Sequence, residues 1–359
     1  MTDAIYIHIP FCINRCQYCD FLSFKSTPNK RREYVEYLKK EIKLSTRFEY
    51  DTVYFGGGTP SLLDPREVEE ILELLNVKRN AEVTLEVNPK SVDFEKLRAF
   101  RDAGINRLSI GVQSFDPHYL KLIGRLHTDI EAEEIYRDAR KAGFDNISLD
   151  LMFSLPGQSI EDVKRDLVKI TELRPEHISI YSLIWEEGTP LYDRLVNGEL
   201  KETDNEIEAK MYEFIIDFLK SKGYIHYEVS NFSLPGKEAR HNTKYWENKE
   251  YLGAGLGASG YIGNQRYKNA VNFEDYYGKI DNNEKPYEQV EEVNEKEKEE
   301  YRYILGLRLL EKGVEAEGEY INKCLELEKK GYLIRKSGRY ILTPKGLMVA
   351  NNVFEEFIG

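Results

Sequence analysis

Through the first half of the chain, short runs rich in β-branched and aromatic residues alternate with stretches whose apolar positions recur every three or four residues. Those two periods separate strand from helix. Residues 4–9 (AIYIHI) predict a strand, and Tyr34, Leu38 and Ile42, at i, i+4 and i+8, predict one face of a helix. Residues 52–55 (TVYF) predict a second strand, running into Gly56-Gly57-Gly58-Thr59-Pro60. Val68, Ile71, Leu72 and Leu75 fall at helical spacing, and residues 82–87 predict the next strand. A helix over 94–103 stopped by Gly104, a strand over 107–111 and a helix over 131–142 closed by Gly143 follow. A strand over 146–151, a helix over 160–173 ended by Pro175 and a strand over 177–183 complete the series. Six alternations imply a parallel sheet with right-handed crossovers, fewer than the eight units of a closed barrel. The expected class is α/β, an open or partial (β/α)6 TIM-like barrel.

The second half reads differently. Residues 206–222 predict a helix with Met211, Phe214, Ile215 and Phe218 on one face, stopped by Gly223. A strand over 224–229 precedes an irregular stretch, rich in Gly, Asn and Tyr, to about residue 272. Residues 281–298 are strongly charged, contain Pro286 and read as a solvated connection. Helices over 299–310 and 320–330, a hairpin (332–335 and 339–342) turning at Ser337-Gly338, and a last helix from Pro344 suggest an α+β, winged-helix-like appendage. The expected division is a barrel over 1–200, a barrel extension over 201–285 and the appendage over 286–359.

Length and charge narrow the classes. The 359 residues are 41% hydrophobic, enough for a sizeable core, and 63 acidic against 51 basic residues give a net charge of −12. That balance argues against nucleic acid as the main partner, so the appendage reads as a packing or dimer module. The segment Met1-Thr2-Asp3-Ala4-Ile5 lacks the basic start and apolar run of a signal peptide. No stretch approaches the roughly eighteen apolar residues of a membrane span. The expectation is a cytoplasmic protein in a compartment that keeps thiols reduced.

Three of the four cysteines, Cys12, Cys16 and Cys19, stand as C-x3-C-x2-C just after the first strand. Three thiolates on one loop can hold three irons of a cubane [4Fe–4S] cluster, leaving the fourth iron open to a small molecule. Zinc, with His8 as fourth ligand, is the alternative, although the spacing is not a usual zinc pattern. In open parallel sheets ligands gather at the carboxyl ends of the strands. Those ends collect the cysteines, then Gly57, Gly58 and Thr59, then Glu86, Gln113 and Asp150. Capping and turn formation are the plain alternative for each. The glycine run leaves backbone groups open to a ligand's polar head. Gly253-Ala254-Gly255-Leu256-Gly257-Ala258 lacks a surrounding βαβ unit and reads as a tight loop over the site. Cys324 reads as inert helix core.

The cysteine loop and the Gly-rich strand end resemble the radical S-adenosylmethionine (SAM) superfamily. That resemblance implies a [4Fe–4S] cluster, bound SAM and an electron donor for the cluster. Residues 6–12 (YIHIPFC), 55–60 (FGGGTP), 111–115 (GVQSF), Gly124-Arg125 and Asp150-Leu151-Met152 resemble, over nearly the whole chain, oxygen-independent coproporphyrinogen III dehydrogenases of the HemN type and their relatives. By that likeness Tyr6, Gly57 and Glu86 would contact the iron-bound SAM. Tyr18, Gly58, Thr59, Gln113, Arg125 and Asp150 match positions that contact a second SAM in the dehydrogenase. Two departures matter. Phe21 stands where the dehydrogenase has a further cysteine, and the dehydrogenase carries a longer segment before its first strand. Both match instead the HemW-type haem chaperones, whose H-N-x-x-Y-W signature stands here as His241-Asn242-Thr243-Lys244-Tyr245-Trp246. The likeness implies a chaperone that carries haem to acceptor haemoproteins, possible homodimerisation, and His241, Tyr245 and Trp246 as candidate haem contacts. For His241 a hydrogen-bonded structural role is the alternative. The competing function is that of the dehydrogenase.

Overall fold

The computed structural model describes residues 2–45 and 48–359. β1 (Ala4–Ile9) runs into the cysteine loop and α1 (Pro28–Leu44), followed by β2 (Glu49–Gly57), α2 (Pro65–Glu73), β3 (Asn76–Val87) and α3 (Phe94–Asp102). Next come β4 (Arg107–Gln113), α4 (Pro117–Leu122), α5 (Asp129–Lys141), β5 (Ile147–Phe153), α6 (Ile160–Leu173), β6 (His177–Ser182), α7 (Pro190–Val196) and α8 (Asn205–Ser221). The helices begin where the local chemistry satisfies their first N–H groups. Asp64 with Glu67, Thr128 with Glu131, and Ser159 with Asp162 form capping boxes for α2, α5 and α6, each cap being worth about 1 kcal/mol.

β1 to β6 are parallel and adjacent in chain order. β7 (Ile225–Glu228) and β8 (Asn231–Ser233) extend the sheet antiparallel beyond β6, and β9 (Leu252–Ala254) pairs parallel with β1 at the other edge. The fold is the expected α/β partial barrel. Side chains alternate along each strand. One set, including Ile5, Ile7, Val53, Phe55, Leu85, Leu108, Ile110, Ile147, Leu149 and Ile178, forms the buried core. The other set faces inward and is polar: Thr52 and Tyr54, Thr84 and Glu86, Arg107 and Ser109, Ser148 and Asp150, His177 and Ser179. Closed TIM barrels fill this space with branched apolar residues. Here polar side chains line it.

Residues 230–272 are not irregular. They hold β8, α9 (Arg240–Trp246), β9, β10 (Ser259–Ile262) and β11 (Gln265–Asn269). Gly253 and Ala254 lie in β9, so only the second half of the Gly-rich run is a loop. After α10 (Phe273–Asp281), the stretch read as a solvated connection contains β12 (Tyr287–Glu292), which pairs with β11, and the start of α11 (Glu295–Gly306). On α8 the buried residues are Met211, Ile215, Ile216 and Leu219; Phe214 and Phe218 are half-buried.

β13 (Val314–Glu315), α12 (Tyr320–Lys329), β14 (Leu333–Lys336), β15 (Arg339–Leu342), α13 (Pro344–Met348) and α14 (Ala350–Glu355) build a small α+β unit with the expected hairpin. Its core joins Tyr303, Leu307, Cys324, Leu327, Val353 and Phe357. Among the described residues no helix is long and apolar enough to cross a membrane.

Candidate functional site

The cysteine loop is pinned by backbone bonds on both sides. Cys12 N donates to Phe24 O (3.1 Å), and Gln17 N donates to Ile123 O (3.0 Å). The glycine turn after β2 lies directly against it: Gly58 N donates to Ile9 O (2.9 Å), and a Cβ on Gly58 would stand 2.7 Å from Phe11 O. Gly57 has φ +110°, and a side chain there would meet the His8 ring at 2.5 Å. Both positions therefore need glycine for contact, and Gly57 needs it for conformation as well.

Two of the three sulfurs already have donors aimed at them. Thr59 Oγ1 donates to Cys12 Sγ (3.5 Å) and Arg125 Nη1 to Cys16 Sγ (3.6 Å). Burial pushes the Cys19 thiol up to about 11 and raises that of Cys12, against the Thr59 hydrogen bond. A metal must displace those protons to bind. Among the described residues no three His, Cys, Asp or Glu side chains converge as a single ion requires. A cubane spreads its anchors over separate irons, so three sulfurs on one loop fit it without that convergence.

Glu86, at the end of β3, accepts from Tyr54 OH (2.9 Å) and Gly57 N (3.1 Å), and burial pushes its carboxyl up to about 7. Tyr6 OH bonds His8 Nδ1 (2.9 Å), while His8 Nε2 meets Leu22 O (3.2 Å) in the cysteine loop. Asp150 is no helix cap. It accepts from Ser109 (3.0 Å) and Ser148 (3.0 Å), and burial raises its carboxyl. Arg125 donates to Gly111 O as well as to Cys16. Gln113 Nε2 and Arg125 Nη2 converge there, 2.9 and 3.3 Å from where a Cβ on Gly111 would stand. Tyr18 packs beside Tyr119, Ile123, Met152, Leu155 and Leu183. All nine candidate SAM contacts and the three cysteines thus lie on the cysteine loop or on the strands and loops at its end of the barrel.

The H-N-x-x-Y-W residues lie elsewhere. α9 crosses the opposite, amino ends of β1 to β3. Its first N–H groups, Arg240 N and His241 N, donate to Glu82 (3.1 and 3.0 Å), and Lys244 pairs with Asp3 and Asp51. His241 is 1% exposed, with Nδ1 bonded to Thr52 Oγ1 (2.9 Å) and Nε2 to Tyr245 OH (2.7 Å). Trp246 turns away and faces the Arg308 guanidinium at 4.2 Å. The three residues share no common face. A ring stack, Tyr6 on Tyr54 and Tyr54 on His241, links this floor to Glu86.

Sequence reasoning confined to strand ends missed the polar interior. His177 bonds Ser148 (2.8 Å) and Tyr227 (2.8 Å), and Tyr227 OH accepts from Ala239 N at the start of α9 (3.3 Å). The signal was available as the alternating polar letters of RLSIG, ISLD and HISIY.

The profile of the radical SAM superfamily matches residues 6–170. The chain is 39% identical over 370 residues to the Lactococcus lactis protein named heme chaperone HemW, a match covering 99% of this chain and 97% of that one. It is 36% identical over 375 residues to the Bacillus subtilis protein of the same name, covering 99% of each. Among solved structures, the Escherichia coli coproporphyrinogen III oxidase HemN, titled a radical SAM enzyme, matches with a TM-score of 0.85 at 22% identity, over 99% of this chain and 90% of that one. That last likeness is one of fold. With its cysteine loop, glycine turn and full-length kinship, the chain belongs to the HemW family of radical SAM proteins.

Proposed function

We propose that this protein binds haem and passes it to acceptor haemoproteins, with a [4Fe–4S] cluster and SAM at the mouth of the barrel. The observation that carries this reading is the end-to-end identity with proteins named heme chaperones. It is supported by Ile13, Phe21, Leu126 and Ile184, exposed apolar side chains on loops at the cysteine end that a flat apolar guest or a protein would cover.

Cys12, Cys16 and Cys19 would hold the cluster. Bound there, the cluster and SAM supply one-electron chemistry, fed by a separate electron donor. Glu86, with Gly57 and Tyr6 beside it, would receive the amino head of SAM. Asp150 suits ribose hydroxyls and Arg125 a carboxylate. Tyr18, Gly58, Thr59 and Gln113 complete that lining. For His241 to ligate iron, α9 must exchange its bonds to Thr52 and Tyr245, so haem capture at this helix would be coupled to its undocking from the floor. In this reading the protein works in the cytoplasm, in three units with limits at 1–200, 201–285 and 286–359, and dimerises.

Anaerobic reconstitution followed by haem titration tests the reading, on wild type, Cys12→Ala and His241→Ala. Haem retained through gel filtration, without decarboxylated porphyrin, is the expected result. Turnover of coproporphyrinogen III to protoporphyrinogen IX would replace the chaperone with the dehydrogenase.

A further inference from the structure

Arg107 opens β4 and points into the barrel, 2% exposed. Among the described residues no ion pair or hydrogen bond reaches it, and its enclosed Nε has no partner. Among the described residues the other buried lysine or arginine is Lys244, and it is held by Asp3 and Asp51. A guanidinium cannot shed its charge, so burying it unpaired is among the costlier things a fold can do.

Its neighbours offset the charge only through space and take no bond from it. Tyr54 and Tyr227 have raised phenol values, and burial lowers His177 and His241, keeping both rings neutral; Arg107 is within electrostatic reach of all four. Glu86 and Asp150 feel the same charge but spend their oxygens on Tyr54, Gly57 and the serines. The lower barrel therefore holds a fixed cation with a planar, forked set of donors and nothing to donate to. That fork matches a carboxylate.

We propose that Arg107 is a carboxylate receptor near the barrel floor, taking a carboxylate of the molecule the barrel holds. The chemistry has two sources, a propionate of a tetrapyrrole or the carboxylate of SAM; the first rests on the haem reading above, the second does not.

The test is titration of the anaerobically reconstituted full chain with hemin, hemin dimethyl ester and SAM, on wild type, Arg107→Gln and Arg107→Lys. Thermal melts of the ligand-free proteins run alongside. Wild type is expected to bind hemin about tenfold tighter than the diester, the scale of one charge-assisted pair. Arg107→Gln should lose that preference while leaving SAM affinity unchanged, and should melt no lower than wild type because it removes an unpaired buried charge. If wild type retains no hemin but Arg107→Gln weakens SAM about tenfold, the haem reading falls and the receptor stands, with SAM as its ligand. Unchanged affinity of Arg107→Gln for both ligands overturns the proposal. Should that variant fail to fold, equal binding of hemin and diester by wild type, with Arg107→Lys matching wild type for hemin and SAM, overturns it as well.

Discussion

If Glu86 receives the amino head of SAM as proposed, it couples ligand binding at the mouth to pH. Its carboxyl sits at about 7 because burial penalises the charge more than Tyr54 and Gly57 N stabilise it. An ammonium head needs the ionised form, so below pH 7 a proton must leave before SAM binds. SAM affinity should fall about tenfold per pH unit below 7 and level off above it. Anaerobic calorimetry between pH 5.5 and 8 measures this, and Glu86→Gln should bind weakly with no such slope. A wild-type affinity that is flat across the range would remove Glu86 from the contact. The turn beside it is the second residue-scale case. Gly57→Ala forces a positive φ on a residue with a Cβ, about 1–3 kcal/mol, and drives that Cβ into the His8 ring. Urea unfolding should report the loss, and reconstituted iron content should drop with it. The cysteines were legible because their chemistry is written in a three- and two-residue spacing within one loop. Arg107 and His177 were not, because a single polar letter in a strand says nothing until the alternation of the whole strand is read against its neighbours.

At the scale of elements, one buried acid ties three segments together. Glu41 of α1 accepts from Gly255 N (2.7 Å), from Asn269 Nδ2 (2.7 Å) and from Tyr276 OH (2.5 Å) of α10. Burial pushes it up to about 7. The folded carboxyl therefore holds its proton between its unfolded value, near 4.3, and pH 7, where the unfolded chain has released it. Stability contributed at this site declines as pH rises through that window and stays low above it. The melting temperature should fall from pH 5 to 8, and Glu41→Gln should flatten part of the slope. Glu86 has the same sign and accounts for a remainder, but an unaltered slope in Glu41→Gln would leave Glu41 without a role in it. Elements with their own signals were readable: α6 carries the Ser159–Asp162 box and four buried residues in helical phase. β12 was hidden because nearly every side chain of YEQVEE is exposed and only β11 gives it a ladder. β9 is three residues whose pairing sets Leu252 against Ile5 of β1, far away in sequence. The position of α9 was equally out of reach, since Asp3, Asp51 and Glu82, which hold it, are about 160 to 240 residues away in sequence.

Across the whole molecule, the barrel, the floor helix and the C-terminal unit meet at one side chain. Leu310 N donates to Tyr227 O (3.0 Å), fixing the turn after α11 against β7. Beside it Arg308 reaches Glu228 at 3.8 Å and lies over the Trp246 ring at 4.2 Å. Glu228 is fully buried, and burial raises its carboxyl while Arg308 holds it down. Arg308→Ala leaves that carboxyl enclosed without its cation, a loss of about 3–5 kcal/mol. The cost should be greater at pH 8 than at pH 5, because at the lower pH Glu228 escapes by taking up a proton. Glu228→Gln in the same chain should recover most of it, since an amide carries no charge to strand. Hydrogen exchange should quicken in residues 225–231, 240–246 and 306–312 and stay unchanged in the cysteine loop, which shares no contact with Arg308. If haem capture depends on α9 leaving the floor, the same substitution should speed haem uptake while it lowers stability, because the helix then loses one of its holds. Slower uptake together with faster exchange would separate the motion of α9 from the handling of haem.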